Sequence, residues 1–520
     1  MALYSRGSAR RSLINTLQFR AVSQIATILG YVILVRGMAA QDFGVYNLLY
    51  TFIPTISTVA SLGLEQTLRR YQPEYLSGGN APAAGWLMRF VARTRLTTNF
   101  ILFGLILLAW NLIAPVFKLQ GYRVEFILFC PLMVLFFQAR ILQLSLAAHM
   151  LHRFSVGTMA VLSVAKLIGY AGFARFDELT LQKAILVDTI GHAAVYVLVL
   201  MAYRRHCLPA ARSKPYSPPP AERRRLLRYG FFNNFNDAGV YVLSTKSDNF
   251  FIAALMDTVS VGIYSFYNRL NAMIGHLSPL KLFDNIIQPL FFAVPASEAA
   301  TRLPRYFSLL LNTSLLLQWP MLAFAATYHA EVITVVFGGK FVEHSWLLPM
   351  IVAFEAINVI DTPVRLVAQY EEKAAIMLMS KILAVYNVLA LLVLLPIAGL
   401  YGAVFASQSA QTLKVLFVWW HVRDRARWSN AWVAIAIGVL VWGAAIGVCY
   451  ALKLVIGSAA IPNLGAGVVV CGIAWLVFVR SAALSQSDRT MLGSLLRGRE
   501  ARLLRLVGLI RVEHLPASKR

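Results

Sequence analysis

The sequence predicts an all-α polytopic membrane protein. About 14 transmembrane helices are expected: two six-helix lobes related by a parallel pseudo-two-fold, plus two extra C-terminal helices. Three observations lead there. Hydrophobic residues make up 58% of the 520, well above the share in soluble domains. They fall in continuous runs near the ~20 residues that a ~30 Å hydrocarbon core requires, not in the alternating pattern of a transmembrane barrel. A short motif also recurs six runs apart, at equivalent points of the chain.

The runs lie near 13–35, 44–68, 96–117, 124–148, 154–174, 182–203, 229–255, 259–294, 305–328, 345–369, 374–396, 400–421, 430–452 and 463–481. The 259–294 run is too long for one straight crossing, and Pro279 and Pro289 are expected to kink it. Pro54, Pro131, Pro320 and Pro363 interrupt other runs and are further candidate bends. Met1 to Arg11 leads directly into the first run without a small-residue cleavage pattern, so that run is read as an insertion signal that is retained. Cys130, Cys207, Cys449 and Cys471 show no paired spacing, so neither a disulfide nor a metal site is expected. No cofactor is expected either.

The net charge is +25. Its location argues against nucleic acid, because most of it lies in short connections and tails beside apolar runs. With the N-terminus inside, roughly 32 of the 48 Lys and Arg fall in inside segments and roughly 7 in outside ones. This bias places both termini in the cytoplasm. The expected divisions are 1–205 for an N-lobe, 206–228 for a basic proline-rich cytoplasmic linker, 229–421 for a C-lobe, 422–481 for spans 13 and 14, and 482–520 for a cytoplasmic amphipathic tail. The linker holds Pro218-Pro219-Pro220 and Arg223-Arg224-Arg225. It is read as a stiff tether whose basic groups lie on anionic membrane lipids, each attracted by about 1 kcal/mol near the surface. In the tail, Leu492, Leu495, Leu496, Leu503, Leu506, Val507 and Ile510 recur at helical spacing between arginines, as in an interfacial helix.

The repeated motif is Gly44-Val45-Tyr46 at the second run and Gly262-Ile263-Tyr264 at the eighth. Six runs is an even number, so both copies enter the membrane in the same direction. That is the signature of a parallel repeat.

Nine cations fall inside the apolar runs: Arg20, Arg140, Lys166, Lys246, Arg269, Lys281, Arg365, Lys381 and Lys414. Each costs roughly 2.5–3.5 kcal/mol at mid-membrane unless it is paired, surfaced or wet. Several cations around one wet cavity suit a large anionic substrate.

Longer stretches carry a family likeness. Val35-Arg36-Gly37-Met38-Ala39-Ala40-Gln41-Asp42-Phe43-Gly44-Val45-Tyr46, followed by Ser61 to Tyr75, resembles the first two spans of bacterial polysaccharide-biosynthesis (lipid-linked oligosaccharide) flippases. Asp248-Asn249-Phe250-Phe251-Ile252 with Val261 to Tyr264 resembles their seventh-to-eighth span signature. Phe337-Gly338-Gly339-Lys340-Phe341 and Leu400-Tyr401-Gly402-Ala403 resemble the turn before span ten and the entry to span twelve. These families share a superfamily with multidrug exporters. The resemblance implies alternating access between two lobes and transfer of undecaprenyl-pyrophosphate-linked sugar units across the inner membrane. It also implies work alongside polysaccharide polymerase and chain-length proteins, for surface polysaccharide, O-antigen or exopolysaccharide. Asn249 departs from the family, which often carries a basic residue there.

On that reading, Arg20 in span 1 captures phosphate, with Gln24 one turn away on the same face. Arg140 in span 4, Lys246 in span 7, Arg269 in span 8 and Arg365 in span 10 complete the substrate-binding set. Arg365 follows Asp361 by four, so an internal ion pair competes with substrate contact. Asp188 and His192 are spaced for a proton relay, and Asp248 matches the family's acidic position; these three are candidates for ion coupling. Moving a lipid breaks no covalent bond, so no catalytic residue and no enzyme activity is expected. A cation-coupled multidrug or metabolite exporter of the same superfamily is the alternative. A polymerase or glycosyltransferase would need a larger external loop than this sequence offers.

Overall fold

The structure is a computed structural model that describes residues 6–176, 179–211, 214–242, 244–275, 291–292, 294–428, 431–481 and 489. Nearly all of these residues are helical, in an arrangement without strands among the described residues. Nine helices among them are long and apolar enough to cross a membrane, or ten if one bent pair counts as a crossing. The expectation was about fourteen. Expected spans 11 and 12 share one continuous run, Ala374–Val422, and residues 276–290 of expected span 8 lie outside the described residues.

The chain forms two compact units, Met1–Ser265 and Phe266–Arg520. The first holds α1 (Arg6–Gly37), α2 (Ala40–Ala60), α3 (Leu64–Ser77), α4 (Ala81–Leu108), α5 (Trp110–Val116), α6 (Arg123–Ala148), α7 (His152–Phe176), α8 (Leu181–His206), α9 (Leu208–Ala211), α10 (Pro220–Val242) and α11 (Thr245–Leu255). Helix α12 (Thr258–Gly275) begins in the first unit and continues into the second. The second unit contains α13 (Ala299–Phe337), α14 (Leu347–Asn358), α15 (Asp361–Tyr370), α16 (Ala374–Met379), α17 (Leu383–Val422), α18 (Ala431–Ile456) and α19 (Ala460–Arg480). The division falls at Ser265, so α10 and α11 belong with the N-terminal helices. Their polar side chains explain this. Asn249 Nδ2 donates to Thr51 Oγ1 at 2.8 Å, and the hydroxyls of Thr55 and Tyr241 are 2.6 Å apart. Both contacts tie the α10–α11 pair to α2.

One bend between two helices has no proline at it. Helices α2 and α3 meet at 63° across Ser61–Gly63. Pro54 and Pro131 instead lie inside α2 and α6, and Pro320 inside α13. A proline deletes one helical hydrogen bond, whereas two successive left-handed residues redirect the chain. Leu62 has φ +48° and Gly63 φ +68°. A Cβ at Gly63 would also lie 1.7 Å from the Gly230 carbonyl oxygen, so α10 can approach the bend only against glycine.

Helix α4 starts 15 residues earlier than the apolar run suggests. Asn80 caps it by accepting the Ala83 N–H at 3.1 Å. Arg95, counted from sequence as a cytoplasmic loop residue, is therefore inside a helix and only 1% exposed. This correction follows from backbone hydrogen bonding, which continues past the apolar window. Arg95 Nη1 donates to the Ser57 carbonyl at 2.9 Å and Thr98 Oγ1 to the Ala60 carbonyl at 2.8 Å. The two side chains thus bond carbonyls in the last turn of α2, before the bend.

The proline-rich segment read as a tether is folded onto the first unit. Gly85 of α4 admits Ala211 of α9, whose Cβ lies 2.4 Å from where a Cβ at Gly85 would be. Tyr216 donates to Glu222 at 2.7 Å, and Tyr75 of α3 donates to the other oxygen of the same carboxylate. Burial, then the Glu222 carboxylate, push the Tyr216 phenol up to about 12.

In the second unit, α18 and α19, the expected spans 13 and 14, pack on α13. Leu316, Ala323, Trp442, Cys471 and Phe478 share one core there. Close approach uses small residues: Gly438 faces the Trp319 ring and Gly467 the Tyr328 ring, each leaving no room for a Cβ. Helix α17 carries two expected spans, with a break at Gly399 (φ +55°, ψ −138°). The expected tail, 482–520, lies outside the described residues except for Arg489, which donates to the Val479 and Ser481 carbonyls.

Candidate functional site

The most elaborate polar cluster in the first unit surrounds Asp188 of α8, whose side chain is fully buried. Lys166 Nζ of α7 lies 2.9 Å from Asp188 Oδ1 and donates to the Tyr50 hydroxyl at 3.0 Å. Tyr46 donates to Asp188 Oδ2 at 2.7 Å, and Tyr50 and Tyr170 donate to the same carboxylate. One carboxylate thus receives an ammonium and three phenols from α2 and α7. A buried charge held this way has both a counter-charge and filled lone pairs. His192 is one turn along α8, as its spacing requires. Its Nδ1 donates to the Asp188 main-chain carbonyl at 2.7 Å, and its ring lies against Phe136.

A second buried carboxylate is Asp248 of α11. Tyr264 of α12 donates to its Oδ2 at 2.6 Å. Each tyrosine of the repeated motif therefore delivers its hydroxyl to a fully buried aspartate: Tyr46 to Asp188, Tyr264 to Asp248. The motif glycines serve a common purpose too. A Cβ at Gly44 would lie 1.8 Å from the Thr258 carbonyl oxygen, and one at Gly262 would lie 3.1 Å from Gly44 Cα. The two copies of the motif touch, backbone to backbone, where α2 crosses α12.

The third cluster lies at the α2–α3 bend. Arg95 presents Nε and Nη2 without a hydrogen-bond partner among the described residues, and Glu65 Oε1 stands 3.8 Å from Nη2. The Phe137 ring covers the guanidinium, centroid 4.1 Å away. Asn99, one turn along α4, is fully buried with neither amide atom bonded among the described residues.

The remaining sequence-derived residues are dispersed. Arg20 sits on α1, with its side chain outside the described residues; Gln24, one turn on, is half-buried. Helix α1 packs on α7 nearby, where the hydroxyls of Ser23 and Ser163 are 2.9 Å apart. Arg140 on α6 is half-buried and makes no hydrogen bond or ion pair among the described residues; its charged neighbours are Arg69 and Glu65. Gln143, one turn along α6, donates to Thr158 at 3.2 Å. Lys246 is exposed in the first turn of α11 and Arg269 is exposed on α12. Lys281 lies outside the described residues.

In the second unit, Asp361 pairs with Lys414 at 3.4 Å. Arg365, the partner that spacing suggested, is half-buried and makes no ion pair among the described residues. Lys166 and Lys414 thus pair with internal carboxylates, while Arg140 and Arg365 form no ion pair among the described residues. A cavity of about 500 Å³ lies beside this cluster, lined by residues such as Leu311, Trp319, Ile357, Leu416, Trp428 and Ile435. Asn358 and Thr412 are its polar residues apart from the tryptophan N–H groups, and they bond each other at 3.0 Å. Such a space accepts hydrocarbon and rejects a charged head group.

Sequence reasoning missed Arg95 and the tyrosine partners of Asp188. A usable signal existed for the Lys166–Asp188 pair: Asp188 is the one carboxylate in the expected spans 154–174 and 182–203, so Lys166 had one candidate counter-charge there.

A direct search of curated protein sequences finds no match. The fold has solved counterparts. A structure described as "Lipid II flippase MurJ, inward closed conformation" aligns with TM-score 0.68 at 13% identity, covering 89% of this chain and 98% of that one. The inward-facing conformation of a multidrug resistance MATE family transporter of the MOP superfamily aligns with TM-score 0.60 at 13% identity, over 80% and 98%. At these identities the likeness concerns fold. The family model described as polysaccharide biosynthesis protein matches residues 10–278, the stretch that holds both tyrosine–aspartate pairs and the touching motif glycines. The chain belongs to the polysaccharide biosynthesis protein family.

Proposed function

We propose that this protein is a flippase that carries an undecaprenyl-pyrophosphate-linked oligosaccharide from the cytoplasmic to the periplasmic leaflet of a bacterial inner membrane. The family supports a role in glycan assembly, and the fold is one that lipid flippases and exporters use. The observation that carries the reading is the state of Arg140 and Arg365. Two guanidiniums inside expected spans make no hydrogen bond or ion pair among the described residues, with Arg69 and Glu65 as the charged neighbours of Arg140. A cation in such a span is kept at a cost that a use for the charge offsets. A diphosphate supplies that use, because an arginine fork binds phosphate oxygens bidentately.

On this reading Arg20, Gln24, Arg140, Lys246, Arg269 and Arg365 serve the polar head, from two six-helix lobes that open alternately. The 500 Å³ apolar cavity is of a kind that suits part of the prenyl tail. Both termini lie in the cytoplasm, polymerase and chain-length proteins take the delivered glycan, and no covalent step occurs. Asp188, His192 and Asp248 are the groups available for coupling to an ion gradient. The membrane potential alone also drives an anionic head outward, by about 2.3 kcal/mol per charge per 100 mV.

Arg140→Ala and Arg365→Ala, singly, are each expected to lower export of surface glycan at least tenfold with the protein still present in the membrane. Unchanged export in both would remove the phosphate site. An exporter of organic cations would instead keep its activity in both variants.

A further inference from the structure

Helix α10 has two unlike faces. The inner face is committed to the first unit: Leu226 and Gly230 are buried, Tyr229 meets Tyr71 edge-on at 5.3 Å, and Glu222 receives Tyr75 and Tyr216. Arg225 belongs to this side, 4.9 Å over the Tyr71 ring and 3.8 Å from Glu74. The outer face carries Arg223, Arg224, Leu227, Arg228, Phe231 and Phe232, all exposed, at the three- and four-residue spacing of one helical stripe. They line an open concavity of about 710 Å³, with Pro218 and Pro220 at its edge.

We propose that this stripe binds the head group of an anionic phospholipid in the cytoplasmic leaflet. Three features of the stripe select that occupant. Arg223, Arg224 and Arg228 pair with no carboxylate among the described residues, and the nearest acid in sequence, Glu222, is turned inward and held by two tyrosines. The chemistry also changes along the axis. The arginines occupy the first turns and the phenylalanines follow about 10 Å further along, the order in which phosphates and acyl chains occur on entering a leaflet. Finally, Phe231 and Phe232 are 58% and 60% exposed and Leu227 41%, so a soluble phosphate would leave three large apolar groups in water while a lipid covers them. The inward hold on Glu222 fixes α10 on the unit with Arg224 and Arg228 on its outer face.

The experiment is native mass spectrometry of the full-length protein in mild detergent. Phosphatidylglycerol, phosphatidylcholine or undecaprenyl diphosphate is added separately. Wild type is expected to retain phosphatidylglycerol at least fivefold more than phosphatidylcholine. Arg224→Ala/Arg228→Ala should lose that preference and Arg225→Ala should keep it. Should the double variant not fold, Arg224→Gln and Arg228→Gln singly are each expected to halve the preference. Equal phosphatidylglycerol retention by wild type and the folded stripe variants overturns the proposal. Stripe-dependent retention of undecaprenyl diphosphate without phosphatidylglycerol also overturns it, and identifies the stripe as a substrate contact instead.

Discussion

Alanine at Asp188, with Lys166 left in place, is expected to destabilise the first unit by about 3 kcal/mol, the lower end of the range for breaking a buried ion pair. The lower end applies because Lys166 is 21% exposed and retains some access to water. The loss has two sources. The ammonium forfeits its counter-charge 2.9 Å away, and three phenols from α2 and α7 forfeit their shared acceptor. Removing both charges is a different matter. Lys166→Met/Asp188→Leu leaves no orphaned ion, only phenols that can bond one another, as the Tyr46 and Tyr170 hydroxyls already lie 3.2 Å apart. The double variant is therefore expected to recover at least half of the lost stability. Heating detergent-solubilised protein and measuring the fraction that stays monodisperse distinguishes these outcomes. A single variant as stable as wild type would mean that the pair holds nothing together.

Gly44→Ala is the second large effect. The new methyl would lie 1.8 Å from the Thr258 carbonyl oxygen, and backbone cannot step aside as a side chain can. Helices α2 and α12 must separate, at a cost of about 3 kcal/mol, the top of the overpacking range. Gly262→Ala presses on the same crossing from the other side. Its nearest atoms are 3.1 Å away, so a few tenths of an ångström of movement suffices and the cost is about 1 kcal/mol. The same heating assay should rank the two variants in that order. Equal effects, or none at Gly44, would show that the glycine contact is not tight.

These two sites mark how far the sequence could be read. The repeat of Gly44-Val45-Tyr46 at Gly262-Ile263-Tyr264 was legible as a pattern. That the two glycines touch, and that each tyrosine serves a buried aspartate, was not, because the pattern carries no tertiary distance. The membrane class was legible because burial in lipid needs length and apolarity, which are local properties. Helix limits were less so. Arg95 looked like loop because apolarity ends before helical hydrogen bonding does. Bends were expected at prolines such as Pro54, while the 63° bend comes from left-handed backbone at Leu62 and Gly63. The linker read as a stiff tether because proline and arginine suggest exposure; the Tyr75–Glu222 contact that helps fold it onto the unit is long-range. Among the nine intramembrane cations, spacing correctly raised the question of Asp361, but the partner is Lys414 from another helix and not Arg365 one turn away.

On the proposed function, Arg140 and Arg365, which form no ion pair among the described residues, serve a lipid diphosphate. The most direct test of that role uses proteoliposomes carrying a labelled undecaprenyl-diphosphate-linked glycan, with leaflet exposure followed by a membrane-impermeant reagent. Purified protein is expected to move label to the opposite leaflet well above protein-free vesicles, and Arg140→Ala/Arg365→Ala to slow it at least tenfold. Label that stays in its leaflet while the same vesicles release organic cations would contradict the account.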